Sequence, residues 1–235
     1  IPVHAFNLIS PTFFANSSTG NKYSLWVNVY GVSERYLNVY GEKDLRAQMN
    51  QFFHRTYTHP VDGTTLDMKM LCNWYWYDET AILETGKGTK DWNFYRYAET
   101  LLSAAEAIAQ SSGVNAEAAG YLAQVKARAN MEGKDVSTIA SELQRLGKQA
   151  FIEECWKERL REFPLEMKIW DDCVRTGKFP QISATNKGEV QFVDLIGATN
   201  GSGAKFKETD LYWPIPVNEI QRNPNLTQNE GYSAK

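Results

Sequence analysis

A chain of 235 residues is long enough to bury one sizeable core, and its 43% hydrophobic and 23% charged residues are those of a globular protein of one domain or two small ones. A formal charge of −3 argues against the basic face that phosphate binding needs, so nucleic acid is not an expected partner. No run of about 18 apolar residues is available to span a membrane, and Cys72, Cys155 and Cys173, an odd number with no C-x-x-C pair, read as buried free thiols rather than a disulfide framework or zinc site.

The chain opens at Ile1 without an initiator methionine or signal peptide, which reads as a processed or truncated piece whose targeting segment lies upstream. From Ile1 to Ser33 the only charged residue is Lys22, among many Asn, Ser, Thr and aromatic residues. Segments such as Tyr23–Tyr30 alternate loosely, which predicts short strands and long loops. A helix or two is predicted between Glu34 and Arg55, for instance around Lys43–Phe53. The run from His59 to Gly63 marks a turn, and the run from Asn73 to Asp78 is expected to be a strand or extended loop.

After about residue 90 the periodicity becomes helical. Phe94, Ala98, Leu101, Leu102, Ala105, Ile108 and Ala109 follow i, i+4, i+7, i+8 spacing, with Gly113 as the stop. Asn115 is a good N-cap for a second helix that buries Ala118, Leu122, Val125 and Ala129, and the short connection makes the two an antiparallel αα-hairpin. A third helix is predicted from about Thr138 to Phe163. Its first half would bury Ile139, Leu143, Leu146 and Ala150, and its second Ile152, Trp156, Leu160 and Phe163. These stripes lie on nearly opposite sides, so the helix is either sandwiched differently at its two ends or bent near Gly147, and Pro164 ends or kinks it. A short helix over Leu165–Arg175 is closed by Gly177; residues 183–209 read as an exposed loop; a last turn of helix is predicted at Val217–Arg222.

The usual catalytic patterns fail on inspection. Gly86–Lys87–Gly88–Thr89 lacks both the earlier glycine and the Ser or Thr of a phosphate loop. His4, His54 and His59 have no G-x-S-x-G nearby and form no H-x-x-x-H pair. Asp171–Asp172 and Glu153–Glu154 are neighbours on predicted helices, so their side chains diverge by about 100° and cannot flank one glycosidic bond. Neither catalytic residues, a metal nor a cofactor is expected.

The aromatic residues carry the functional signal. They make up 13% of the chain, with seven Trp and twelve Tyr, more than a core alone requires. If the run from Asn73 to Asp78 is extended, Trp74 and Trp76 share one face, about 7 Å apart. Such a platform stacks the C–H face of a pyranose while Asn73, Asp78 and similar side chains bind its hydroxyls. Trp26 with Asn28 and Tyr30, at the same two-residue spacing, forms a second candidate.

Three segments then resemble one family. Arg96–Tyr97–Ala98–Glu99 through Leu101–Leu102 to Ala105–Glu106–Ala107 is similar to an R-x-A-E-x-L-L-x-x-A-E-A helix, with Val125–Lys126–Ala127–Arg128–Ala129 resembling the helix that follows it. Glu158–Arg159, Glu162–Phe163 and Glu166 match E-R-x-x-E-[LF]-x-x-E, followed by Asp172 and Arg175. The tail is the most specific: Tyr212–Trp213–Pro214–Ile215–Pro216, Glu219–Ile220, then Asn223 to Asn229 and Gly231–Tyr232. In order and spacing these resemble the SusD/RagB family of Bacteroidetes outer-membrane lipoproteins, well over residues 90–235 and in a general way before that. Ile169, Pro164 and Glu230 depart from the pattern, which bears on local ion pairing and helix continuity.

The resemblance implies a mainly α fold, the C-terminal part of a SusD-like protein. Its αα-hairpin and further helices would stand among long loops and a few short strands. Residues 1–90 would form a loop-rich region with the ligand-binding aromatics, and 91–235 the helical core and tail. It implies a non-catalytic glycan-binding protein of the cell surface, lipid-anchored to the outer membrane upstream of this segment. That protein would present oligosaccharide or polysaccharide to a SusC-like, TonB-dependent barrel. The family's glycan sites carry no portable motif, so no site residue transfers. A peptide- or protein-binding partner of the transporter is the alternative, followed by an all-α glycoside hydrolase. The charged motif residues Arg96, Glu99, Glu106, Glu158 and Arg159 are expected in buried, hydrogen-bonded ion pairs.

Overall fold

The computed structural model describes residues 32–61, 63–80, 91 and 93–233. The protein is mainly α, and the described residues fall into two compact units. One runs to Met167 and includes Ile182–Val190; the other holds Lys168–Gln181 and the chain from Gln191 onward.

The first unit is built on four helices: α1 (Tyr97–Ser112), α2 (Ala116–Ala129), α3 (Val136–Leu143) and α4 (Lys148–Glu162). Asn115 caps α2 by accepting from the Ala118 amide, and Gly113 ends α1 at φ 82°, so the αα-hairpin forms where the sequence predicted it. Small residues dominate the faces that meet. Ala98, Ala105 and Ala109 of α1 pack with Ala118, Ala119 and Ala123 of α2 around Leu102 and Leu122, which lets the two backbones approach closely. Phe151, Ile152 and Cys155 of α4 close the core from the other side of α1.

The long third helix of the sequence reading is two helices. After Leu143 the chain breaks, and Gly147, extended at ψ 156°, starts α4. The break resolves the conflict between the two apolar stripes, because each helix aims its own stripe at the core. Ile139 and Leu143 are buried as expected, whereas Leu146 and Ala150 are exposed, since they belong to the break and the first turn of α4.

The C-terminal half of α4 is buried although it is strongly charged. Glu162 is wholly inaccessible and accepts hydrogen bonds from Arg46, Arg96 and Arg128. Glu158 is paired with Arg46 at 2.8 Å and Arg161 at 3.2 Å, and Arg159 with Glu99 at 3.3 Å. Buried charges persist only when compensated, and here each carboxylate has a cation. Burial alone would raise the Glu158 carboxyl, but Arg46, Lys126 and Arg161 outweigh it and hold the group well below the usual carboxylate range. Glu106 takes a hydrogen bond from Gln110. The helix's last carbonyls are capped by phenols: Tyr36 donates to Leu160 O and Tyr40 to Arg161 O. Beyond Pro164, Leu165 and Met167 both adopt φ 59°, a left-handed conformation costly to residues with a Cβ. The turn they form places Glu166 to receive the Arg96 guanidinium on both oxygens.

The segment from Glu34 to Arg55 departs from the sequence reading. It holds short 3₁₀ turns at Glu34–Val39 and Leu45–Ala47, and Phe53 already begins strand β1 (Phe53–Thr58), antiparallel to β2 (Thr65–Asn73). Tertiary pairing overrides the helical propensity here: Arg46 is drawn into the buried ion network, and Tyr40 and Phe53 pack edge to face.

The second unit carries α5 (Ile169–Thr176), closed by Gly177 at φ 66°. Next come strands β3 (Lys178–Ile182) and β4 (Val190–Asp194), which pair as a two-stranded sheet, and α6 (Val217–Arg222). The expectation of loop throughout 183–209 is thus corrected, because Val190–Asp194 alternates well enough to pair. The tail is held by side-chain amides acting as backbone partners. Gln228 both accepts from Ile215 N and donates to Ile215 O, Asn229 donates to Trp213 O, and the Tyr232 hydroxyl donates to Thr209 O. These bonds explain why that sequence stretch is so specific: its side-chain amides fix backbone groups of the Trp213–Ile215 run. No helix among the described residues is long and apolar enough to cross a membrane, and all three cysteines are buried and free.

Candidate functional site

The described part of the aromatic-rich region gathers around the end of β2. Pairing of β1 with β2 sets His54 opposite Cys72. Trp74, two residues further on, is its diagonal neighbour on the same face. Strand pairing ends there, and Trp74–Trp76 turns as a 3₁₀ helix. Asn73 makes that turn: its side-chain oxygen accepts from Tyr75 N at 2.8 Å while its amide donates to Pro164 O at 3.1 Å. Asn73 is buried, and both ends of its amide are engaged in positioning the chain.

A 3₁₀ turn aligns i with i+3, not i with i+2. The expectation of a strand or extended loop from Asn73 to Asp78 is therefore corrected at Trp74–Trp76, and Trp74 aligns with Tyr77. Their rings stack at 4.6 Å and 12°, and His54 stacks on the same indole at 3.8 Å and 11°. Two rings on one side of the indole at those distances would lie within about 5 Å of each other in one plane, too near to fit side by side at van der Waals contact. His54 and Tyr77 therefore cover opposite faces of Trp74, giving a three-ring stack. Tyr57, fully buried, supports it from behind, tilted against both Trp74 and Tyr77.

His54, Trp74 and Tyr77 are each half-buried. The outer rings of the stack, imidazole and phenol, thus keep part of their surface in solvent. Burial disfavours the imidazolium and lowers the His54 pKa, so the stack is neutral near pH 7. Burial, together with Tyr57 and Glu79, raises the Tyr77 phenol, whose hydroxyl donates to Glu79 at 3.2 Å. Asp78 is half-buried beside it. Around the turn, the Tyr75 hydroxyl accepts from Asn93 at 3.2 Å and its ring lies 5.6 Å from the Arg96 guanidinium. Phe94, Tyr95 and Tyr97, just before and within the first turn of α1, are 72–78% exposed.

Of the sequence candidates, Trp74, Asn73 and Asp78 are brought together at this turn. Trp26, Asn28, Tyr30 and the Trp76 side chain lie outside the described residues. His54 and Tyr77 were missed by sequence reasoning: His54 reaches the stack only through cross-strand pairing, and Tyr77 only because the run turns. The i, i+3 spacing of Trp74 and Tyr77 after a capping Asn was the available signal. Among the described residues no cluster of His, Cys, Asp and Glu is arranged to hold a metal.

The model of the SusD family matches residues 17–232 of the chain. The starch-binding protein SusD of Bacteroides thetaiotaomicron is 36% identical over 138 residues, which is 59% of this chain and 21% of that protein. A crystal structure of a SusD superfamily protein from Parabacteroides distasonis matches with a TM-score of 0.77 at 29% identity, covering 97% of this chain and 47% of that one. The chain thus spans about a fifth of the length of the curated relative and just under half of the solved one.

Proposed function

The chain belongs to the SusD family, and on that premise we propose that it is part of a non-catalytic glycan-binding protein of the cell surface. It captures oligosaccharide or polysaccharide for a SusC-like, TonB-dependent outer-membrane transporter, and the protein is held at the outer membrane by a lipid anchor. The observation that carries this reading beyond family membership is the half-buried, preassembled stack of His54, Trp74 and Tyr77. A sugar's C–H face stacks on the outer ring of such a ledge, and Asp78, Glu79 and the Tyr75 hydroxyl lie on the same turn to meet its hydroxyls. Because the rings are ordered before a ligand arrives, little side-chain entropy is lost on binding. Trp26, Asn28, Tyr30 and Trp76 remain proposed ligand contacts.

Titrating the chain with a panel of host and plant polysaccharides, with Trp emission as readout, tests the proposal. Saturable quenching by at least one member is expected. Trp74→Ala should weaken that binding by about 1–3 kcal/mol, the cost of truncating an aromatic anchor, or roughly 5- to 150-fold. Silence across the panel would count against glycan capture, and unchanged affinity in Trp74→Ala would remove the ledge from it.

A further inference from the structure

We infer that a second pocket, with no aromatic residue in its lining, binds one neutral sugar ring through hydrogen bonds alone. The inference rests on the glycan-binding reading above and adds a subsite to it. In the first unit, a pocket of about 270 Å³ opens between the Leu45–Ala47 turn, the end of α2, and the flanks of α3 and α4. That is near the lower end of the ~300–1,000 Å³ in which proteins hold small ligands, the room of one ring rather than a chain.

The pocket's lining is unusual for a ligand site. It contains no aromatic residue, and five cationic side chains face five carboxylates. Nearly all of them are committed to each other. Lys134 bridges Glu132 at 3.0 Å and Glu142 at 2.9 Å, Arg161 holds Glu154 at 2.9 Å, and Arg46 holds Asp44 at 2.7 Å. Lys43 is the exception, exposed and without a side-chain partner among the described residues. An anion entering here gains Lys43 but meets Glu132, Glu142 and Glu154, while a cation meets the reverse opposition. A hydroxyl, donor and acceptor at once, can bridge a Lys–Glu pair without disturbing its charge balance. The lining therefore selects a neutral, hydroxyl-rich ligand.

The walls are also fixed in advance. Asn130 accepts from Glu132 N and donates to Lys134 O, and Met131 N donates to Lys43 O, which joins the two rims. At the far edge Gly188, at φ 77°, is tied to Asn38 O at 2.8 Å and comes so near Gly41 that an added Cβ would touch its Cα at 3.4 Å. Two bare backbones meet there and leave the edge open.

Backbone amide NMR of the 235-residue chain tests the proposal, with methyl glucoside, galactose and xylose as neutral probes and glucuronate and glucosamine as charged ones. At least one neutral sugar should shift the amides of Gly41, Lys43, Asn130, Met131 and Gly188 saturably. Both charged sugars should bind at least tenfold more weakly. Lys134→Met should weaken the neutral sugar severalfold. Gly41→Phe, at a position where an added Cβ meets nothing within 4 Å, should obstruct the pocket and abolish the response without lowering the melting temperature. Trp emission should stay unchanged, because no indole lines the pocket. No response at these amides, with polysaccharide quenching of Trp intact, overturns the pocket and leaves the aromatic ledge standing; loss of both overturns the glycan reading itself. Equal or tighter binding of glucuronate or glucosamine overturns the charge-balance argument.

Discussion

Replacing Glu162 by Gln removes one negative charge from the most deeply buried point of the ion network. The Glu162 side chain is wholly inaccessible and faces three guanidinium groups, whose side chains are 5%, 20% and 56% exposed at Arg46, Arg96 and Arg128. Arg128 can rehydrate. Arg46 and Arg96 cannot do so fully, although Arg46 keeps Asp44 and Glu158 and Arg96 keeps Glu166. Breaking a buried pair by removing one partner costs about 3–5 kcal/mol; the remaining carboxylates place this change near the lower end, at about 3 kcal/mol. With a urea dependence of about 3 kcal/mol/M, the midpoint should fall by about 1 M. The matched control is Glu219→Gln, which breaks an exposed pair with Arg222 and should shift stability by less than about 0.5 kcal/mol. A Glu162→Gln midpoint within about 0.2 M of the parent would refute the claim that this carboxylate holds the arginines in place.

Tyr77→Ala should weaken glycan binding about as much as Trp74→Ala, since each removes one ring of the same stack; calorimetry in which only Trp74→Ala matters would show that the outer phenol is not the contact. Glu158, held low by Arg46, Lys126 and Arg161, stabilises the fold fully above the ordinary carboxyl value of 4.5. That contribution is lost progressively as pH falls below it, because the unfolded chain takes up the proton first. The urea midpoint should therefore be lower at pH 3.5 than at pH 7, and an equal or higher midpoint would contradict the assignment. Asn115→Ala should cost about 1 kcal/mol through loss of the α2 cap, and Gly177→Ala a similar amount because φ 66° favours glycine; thermal melts check both.

The helical frame was legible because its signals are local. Asn115 and Gly113 punctuate the αα-hairpin, Gly177 closes α5, and the apolar spacing from Ala98 to Ala129 matches what is buried. Misread segments were settled by distant partners. Lys43–Phe53 has a helical composition, yet Arg46 is drawn to Glu158 and Glu162, more than a hundred residues away, and Phe53 pairs with Asn73. Val190–Asp194 became a strand only through its pairing with Lys178–Ile182. At the candidate site the residue types were readable but their directions were not. Whether Trp74 shares a face with Trp76 or with Tyr77 depends on where strand pairing stops, and Asn73 decides that by capping a turn. His54 is invisible to any local pattern, because the register of β1 on β2 alone brings it onto the indole. The charge-balanced pocket draws on five separate stretches of chain, so no local motif announces it.

The central claim is capture of carbohydrate without chemistry. Isothermal titration of the chain with polysaccharides, followed on the same samples by an assay for newly formed reducing ends, tests it most directly. Saturable heat with no new reducing ends is the result expected. Release of reducing ends would make the protein a hydrolase, and absence of binding to every polysaccharide, alongside affinity for a peptide or for the transporter barrel alone, would contradict glycan recognition by this chain.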